Sequence, residues 1–176
     1  KYVHSKGGIL IRKDYGKVDL SKYNSALGAN HKIPSSIYST EAKKHQVKTI
    51  SLITTVEEAR DALANGYGIS VCSSIGFSSK RDNKGIAKRS SGWNHAMAWI
   101  ACDDTGTRHK ETLFLVQNSW GSWNSGSKVH SQPEGSFWIR EKDARAMLAQ
   151  QGSWVFSEVD GFPAKNLPDY GTTSYL

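Results

Sequence analysis

The segment Asn94–Cys102 alternates from residue to residue in the way that a half-buried β-strand does. One face would carry His95, Met97, Trp99 and Ala101, and the other face Ala96, Ala98, Ile100 and Cys102. A turn at Asp103–Gly106 and a second strand at Thr112–Asn118 follow. Because a short connection joins antiparallel strands, this part of the chain predicts an antiparallel sheet.

The other predicted elements are two helices and three further strands with long connections. Thr55 and Glu58 have the spacing of a capping box and predict a helix over residues 56–65, which Gly66 would end. The remaining predictions are a short strand at 9–11, strands at 68–73 and 135–140, a surface loop at 76–92, a helix at 142–151 and an extended tail containing Pro163 and Pro168. This pattern favours an α+β domain, with the strands forming a half-open barrel.

The composition excludes several classes of protein. The chain has 176 residues, 38% of them hydrophobic and 22% charged, which fits one globular domain rather than a disordered tail or a fibre. No apolar run reaches the length of a membrane span. The two cysteines, Cys72 and Cys102, are too few for a disulfide scaffold or a cysteine zinc cluster, and whether they are bonded to each other stays open.

The net charge of +7 lies entirely in the first part of the chain. Residues 1–50 hold ten basic and three acidic residues, whereas residues 51–176 are neutral and contain all six tryptophans. We therefore expect a basic, loop-rich arm at 1–50 and the main domain at 51–176. The arm is either a solvated surface segment or a contact for an acidic partner, an anionic membrane, another subunit, or nucleic acid. Nucleic acid ranks last, because no stacking aromatic groups accompany the charge.

His95 and Asn118 are the candidates for chemistry. His95 begins one predicted strand and Asn118 ends the next, so antiparallel pairing would place both at one edge of the sheet. An amide oxygen that accepts the imidazole N–H fixes the ring and its tautomer, which leaves the other nitrogen to act as a base. The alternative is a core histidine beside an asparagine that caps a turn.

The residues around this pair resemble the C-terminal half of papain-like cysteine peptidases. The segments that carry the resemblance are Asn94-His95-Ala96, Asn118-Ser119-Trp120-Gly121, Gly135-Ser136-Phe137-Trp138-Ile139, and the 56–65 helix followed by Gly68-Ile69-Ser70-Val71. The match extends in order over about residues 50–140. It implies a papain-like fold, mainly its antiparallel barrel-like half with short helices, and hydrolysis of peptide bonds.

Further segments resemble a divergent branch of that family from phages and bacteria. They are Gly66-Tyr67, Val71-Cys72-Ser73, Gly76-Phe77, Trp93 shortly before the histidine, the run from Gln132 to Trp138, and Gly161-Phe162-Pro163. The resemblance leaves the location of the protein open, whether in a virion or in a bacterial compartment.

The resemblance also implies a role for each matched residue. His95 would be the general base, Asn118 would orient it, and Trp120 would cover the bond between them. Cys72 would line the substrate pocket and Trp93 would stand at its rim. The family needs no cofactor. Two further segments, Asp103-Asp104 with His109 and Arg81-Asp82-Asn83-Lys84-Gly85, lack the spacing of metal ligands.

The departure from the family is the nucleophile. The family's catalytic cysteine opens a helix in a Gln-x-x-x-Cys motif, and no such motif precedes His95. Cys72 lies within a predicted strand, where no helix N-terminus would stabilise a thiolate. We therefore expect the nucleophile upstream, in a helical part to which residues 1–50 form the link. The alternatives are an inactive structural protein of a virion or other assembly, and an anion-binding module.

Overall fold

The computed structural model describes residues 8–22, 35–107 and 109–159. Its helices are α1 (Ser35–Thr40), α2 (Val56–Ala64) and α3 (Glu141–Leu148), with a 3₁₀ turn at Ala42–His45. Its strands are β1 (Val47–Leu52), β2 (Ile69–Ser73), β3 (Phe77–Arg81), β4 (Ala87–Arg89), β5 (His95–Asp103), β6 (Leu113–Gln117), β7 (Ser136–Arg140) and β8 (Ser153–Val159). The predicted extended tail and the Gly161-Phe162-Pro163 segment lie outside the described residues.

The described strands form one six-stranded antiparallel sheet in the order β1-β8-β2-β5-β6-β7, and β3 and β4 form a separate hairpin. This confirms the α+β class. The sheet is open between its edge strands β1 and β7 and does not close into a barrel. The hairpin is attached to β7, where the Trp138 N–H donates to the Gly85 carbonyl at 3.0 Å.

The main core lies between one face of the sheet and the helices α2 and α3. Val56 and Ala59 of α2 and Met147 of α3 are buried in the same cluster as Val71 and Trp99 of the sheet. Burying a valine or methionine side chain of this set stabilises the fold by about 1.5–3 kcal/mol. Strand β6 is buried on both faces, since Ile86 and Trp138 join Leu113 and Leu115 in a second cluster.

No helix in the described part of the chain is long and apolar enough to cross a bilayer.

Most of the predicted elements are confirmed. The capping box forms as expected: Thr55 Oγ1 accepts from the Glu58 N–H at 3.2 Å, and Glu58 Oε2 accepts from the Thr55 N–H at 3.1 Å. Gly66 has the positive φ of 74° that a left-handed helix terminus requires. The predicted helix at 142–151 is α3, and the four predicted strands from 68 to 140 are β2, β5, β6 and β7.

The predicted surface loop at 76–92 is wrong, because it contains the β3–β4 hairpin. In β3 only the end residues, Phe77 and Arg81, are buried, so the polar residues between them conceal the strand. The turn is closed by Asp82, whose carboxylate accepts from the Lys84 and Ile86 N–H groups at 2.9 Å.

Three further differences concern the ends of the chain. The short strand predicted at 9–11 is irregular in the structure. Strands β1 and β8 were not predicted, and they pair with each other. Strand β1 is an edge strand with only Val47 buried, so its sequence lacks the alternation that marks a strand. Strand β1 also continues across residue 50, the predicted boundary between the arm and the main domain, so residues 47–50 belong to the sheet.

Candidate active site

The ends of β5 and β6 bring His95 and Asn118 together. His95 is the first residue of β5 and Asn118 is the first residue after β6, and the two strands are antiparallel. His95 Nε2 lies 2.9 Å from Asn118 Oδ1, which is a hydrogen bond. The structure thus confirms that the two candidate residues are neighbours at one edge of the sheet.

The Asn118 side chain is held in a single orientation. It is 3% exposed, and its Oδ1 also accepts the Ser119 N–H at 2.7 Å. Since a neutral imidazole must donate in order to bond this oxygen, the proton of His95 belongs on Nε2. The lone pair of Nδ1 is then available as a base, and no other described residue forms a hydrogen bond with it.

Trp120 covers the bond between His95 and Asn118. Its ring stacks on the imidazole, with 4.5 Å between the ring centroids and 26° between the planes. Trp120 is itself 37% exposed, so it forms a partial lid between the pair and solvent. Excluding water strengthens a hydrogen bond electrostatically. The geometry agrees with the covering position expected for Trp120.

Trp93 lies beside His95, as expected, and belongs to a cluster of aromatic rings. Its centroid is 6.2 Å from that of His95 and 5.0 Å from that of Trp120. Sequence reasoning did not identify Trp123, which packs edge-on against both tryptophans at 5.4 and 5.5 Å. The closeness of Trp123 to Trp120 in the sequence is the signal from which its place in the site could have been predicted. The cluster continues into the core through Phe137.

The loop that carries Trp120 is fixed at both ends. Gln117 Nε2 donates to the carbonyl groups of Asn118 and Glu134, at 2.8 and 3.0 Å. Gly135 has φ of 75°, and a Cβ there would collide with the Gly121 carbonyl oxygen. Glycine is therefore required where the loop returns to β7.

Neither cysteine lies with the histidine. In the β2–β5 ladder Ser73 faces His95, and Cys72 faces Ala96. Because neighbouring residues of a strand point to opposite faces, the side chains of Cys72 and His95 leave the sheet in opposite directions. Cys72 is exposed and Cys102 is partly buried, and both are free thiols. Burial raises the pKa of the Cys102 thiol, and the nearby Asp104 carboxylate raises it further.

A cavity of about 750 Å³ borders Asn118 on the face of the sheet opposite the helices. Its floor consists of small side chains from the central strands, and its sides include longer ones. The residues that line it include Ser70, Ala96, Ala98, Gln117, Asn118 and Phe156. The cavity gives room for a peptide or a protein segment beside Asn118, and His95 is not among its lining residues.

The loop also carries charge and provides no metal site. The ion pair with Lys128 lowers the pKa of Glu134, and Arg81 contributes to this at longer range. Within residues 8–22, 35–107 and 109–159 there is no group of three His, Cys, Asp or Glu side chains that could hold a metal ion.

Compared with protein-family models and with curated proteins, the sequence matches none of them. An imidazole with a fixed tautomer and a free Nδ1 has the geometry that the base of a nucleophile–base–orienter triad requires. It can accept a proton from a thiol or hydroxyl brought to Nδ1.

Proposed function

We propose that this chain is the His/Asn-bearing portion of a papain-like cysteine peptidase, with the papain-like fold, and that the nucleophilic cysteine is contributed by polypeptide upstream of it. The observation that carries the proposal is the 2.9 Å bond between His95 Nε2 and Asn118 Oδ1 under the Trp120 ring. The motifs around both residues, which resemble that family, support the same function.

The chemistry follows from the free Nδ1 of His95. This nitrogen takes the proton of the thiol, and the thiolate attacks the carbonyl carbon of a peptide bond. The imidazolium then returns the proton to the leaving amine nitrogen, and water hydrolyses the acyl-enzyme with His95 again acting as base. Asn118 Oδ1 accepts the Nε2–H throughout, so the ring keeps its orientation while its charge changes.

The substrate side of the proposal concerns the face of the sheet opposite the helices. Cys72 is exposed there and faces Ala96, which directly follows His95 in the chain. Because the Cys72 side chain leaves the sheet on the face opposite to that of His95, this position argues against Cys72 as the nucleophile, and its place in the substrate pocket is proposed from the resemblance. Trp93 would then border the cleft beside the imidazole. The partners are a peptide or protein substrate and the segment that carries the thiol.

The test uses the protein encoded by the complete reading frame. It is treated with the thiol-reactive epoxide E-64, and the labelled cysteine is located by peptide mapping. We expect labelling of a cysteine upstream of this chain, and loss of labelling in His95→Ala. A Cys102→Ser variant serves as the matched control and should label normally, since Cys102 has no proposed role in the site. Labelling of Cys72 or Cys102 would contradict the proposed location of the nucleophile.

A second function is favoured by one observation, namely that both free thiols lie away from His95. We propose as the alternative an inactive structural protein of a virion or another assembly that keeps the peptidase fold. A folded full-length protein that neither labels with E-64 nor hydrolyses peptides, and that sediments with the assembly, would support this alternative. Labelling at any cysteine that depends on His95 would exclude it.

A further inference from the structure

Arg81, the last residue of β3, is a buried cation with unusual partners. It is 4% exposed, and its guanidinium donates to neutral oxygens alone. The acceptors are the Ser127 carbonyl at 2.9 Å, Asn124 Oδ1 at 2.6 Å, the Ser136 carbonyl at 2.8 Å and the Gly126 carbonyl at 3.0 Å. No carboxylate in the described part of the chain forms an ion pair with it. A buried charge without a counter-charge is costly unless its donors are hydrogen-bonded, as they are here.

Three of the four acceptors, on Asn124, Gly126 and Ser127, belong to the segment between Trp120 and β7, and the fourth is the carbonyl of Ser136, the first residue of β7. Main-chain bonds join the same two parts of the chain: the Arg81 N–H donates to the Ser125 carbonyl at 2.9 Å, and the Ser125 N–H donates to the Ser79 carbonyl at 2.8 Å. A Cβ at Gly126, which has φ of 94°, would collide with the Arg81 carbonyl oxygen. The β3 strand and residues 124–127 are therefore in close main-chain contact, with the guanidinium as the side-chain clamp.

The clamped segment leads directly to the His95–Asn118 pair. Trp123 precedes Asn124, and its indole N–H donates to the Gly135 carbonyl at 3.0 Å. The edge of Trp123 packs against Trp120 at 5.5 Å, and Trp120 stacks on His95. Trp120 is partly exposed, so the stack is secured from the protein side, through Trp123 and Trp93. A displacement of residues 124–127 would move Trp123 and release Trp120.

We propose that Arg81 is a positioning residue whose guanidinium holds residues 124–127, so that Trp120 stays stacked on His95 and keeps water from the His95–Asn118 bond. That the His95–Asn118 bond serves catalysis rests on the proposed function. Whether Arg81 holds Trp120 against His95 does not depend on that function and can be measured on this chain directly. A purely structural Arg81 would change global stability without changing the protection of His95 in particular.

The experiment measures the exchange of the His95 Nε2 proton with water by ¹⁵N NMR, together with the nuclear Overhauser contacts between Trp120 and His95. Arg81→Lys keeps a charge but loses the fork of donors, and Arg81→Met removes the charge. Met147→Ala, a cavity in the core beneath α3, is the matched control. The three variants are compared with the wild type at urea concentrations that give equal unfolding free energies.

We expect proton exchange at least about tenfold faster in both Arg81 variants, with loss of the Trp120–His95 contacts, and less than about a twofold change in Met147→Ala. Unchanged exchange in the Arg81 variants, or equal acceleration in Met147→Ala, overturns the proposal. If both Arg81 variants fail to fold, Asn124→Ala is measured instead, because it removes only one acceptor of the guanidinium. It should give a smaller acceleration of proton exchange. Unchanged exchange in Asn124→Ala would then overturn the proposal. Failure of peptide hydrolysis in the full-length protein would refute the peptidase proposal and leave this result intact.

Discussion

Replacing Asn118 with alanine tests whether this residue orients His95 or merely fills space. The substitution removes the oxygen that accepts from His95 Nε2 at 2.9 Å and from the Ser119 N–H at 2.7 Å. It also removes Asn118 Nδ2, which is buried without a hydrogen-bond partner. The substitution therefore affects both the free energy of unfolding and the tautomer of the imidazole.

Each lost hydrogen bond costs about 1 kcal/mol net, and removing an unpaired buried donor recovers up to about 1 kcal/mol. We therefore expect Asn118→Ala to lower the free energy of unfolding by about 1–2 kcal/mol. For a chain of this size that corresponds to a fall in Tm of about 2–4 °C per kcal/mol. The bond from Nε2 also selects the Nε2–H tautomer of His95, and losing about 1 kcal/mol there lowers the tautomer ratio about fivefold.

Urea unfolding measures the first quantity, and long-range ¹H–¹⁵N NMR spectra of the imidazole measure the second. Asn65→Ala is the control, since Asn65 Nδ2 donates to the Asp61 carbonyl at the end of α2, away from His95. It should leave the tautomer ratio unchanged. If Asn118→Ala lowers stability while the tautomer ratio stays at the wild-type value, the orienting role of Asn118 is refuted.

The remaining predictions concern the helix cap and the thiols. Thr55→Ala removes the cap of α2 and should lower the unfolding free energy by about 1 kcal/mol in urea titrations, and no loss would contradict the capping box. Hydrogen bonds from the Thr54 and Thr55 N–H groups lower the pKa of Glu58, so its contribution is present above the unfolded value of about 4.3 and lost as pH falls through the folded pKa. Glu58→Gln should therefore be less stable than the wild type at pH 7 and equal to it near pH 2, and a difference independent of pH would refute this. Iodoacetamide at pH 8 should modify the exposed Cys72 before Cys102, whose pKa is raised by burial, and equal rates by mass spectrometry would show this to be wrong.

The parts of the fold that sequence could predict are those with a local physical signal. The α2 helix has a capping box at its start and a glycine at its end, and β2 and β5 alternate because one face is buried beneath the helices. Strands β1 and β8 lack such signals, because they are defined by pairing with each other across more than half of the chain. The pairing of His95 with Asn118 was predictable because their strands follow each other in the chain with a turn signal between them, and consecutive strands joined in this way pair antiparallel.

The surroundings of the pair were less predictable. The position of Trp123 depends on the fold of the loop before β7, which no periodicity announces. The role of Arg81 was hidden for a related reason: in sequence it stands in a stretch rich in Ser, Lys and Gly, which is typical of an exposed loop. Its burial follows from acceptors that lie 43 to 55 residues further along the chain.

Peptide hydrolysis by the full-length protein tests the central claim most directly. The initial rate on a fluorogenic peptide is compared between the wild type, His95→Ala and Asn118→Ala, with each variant shown to be folded by its unfolding transition. Because a general base contributes about 10²–10⁴-fold to such a reaction, we predict a loss in that range for His95→Ala and a smaller loss for Asn118→Ala. Hydrolysis that proceeds at the wild-type rate in His95→Ala, or a folded wild-type protein that hydrolyses no peptide, would contradict the account.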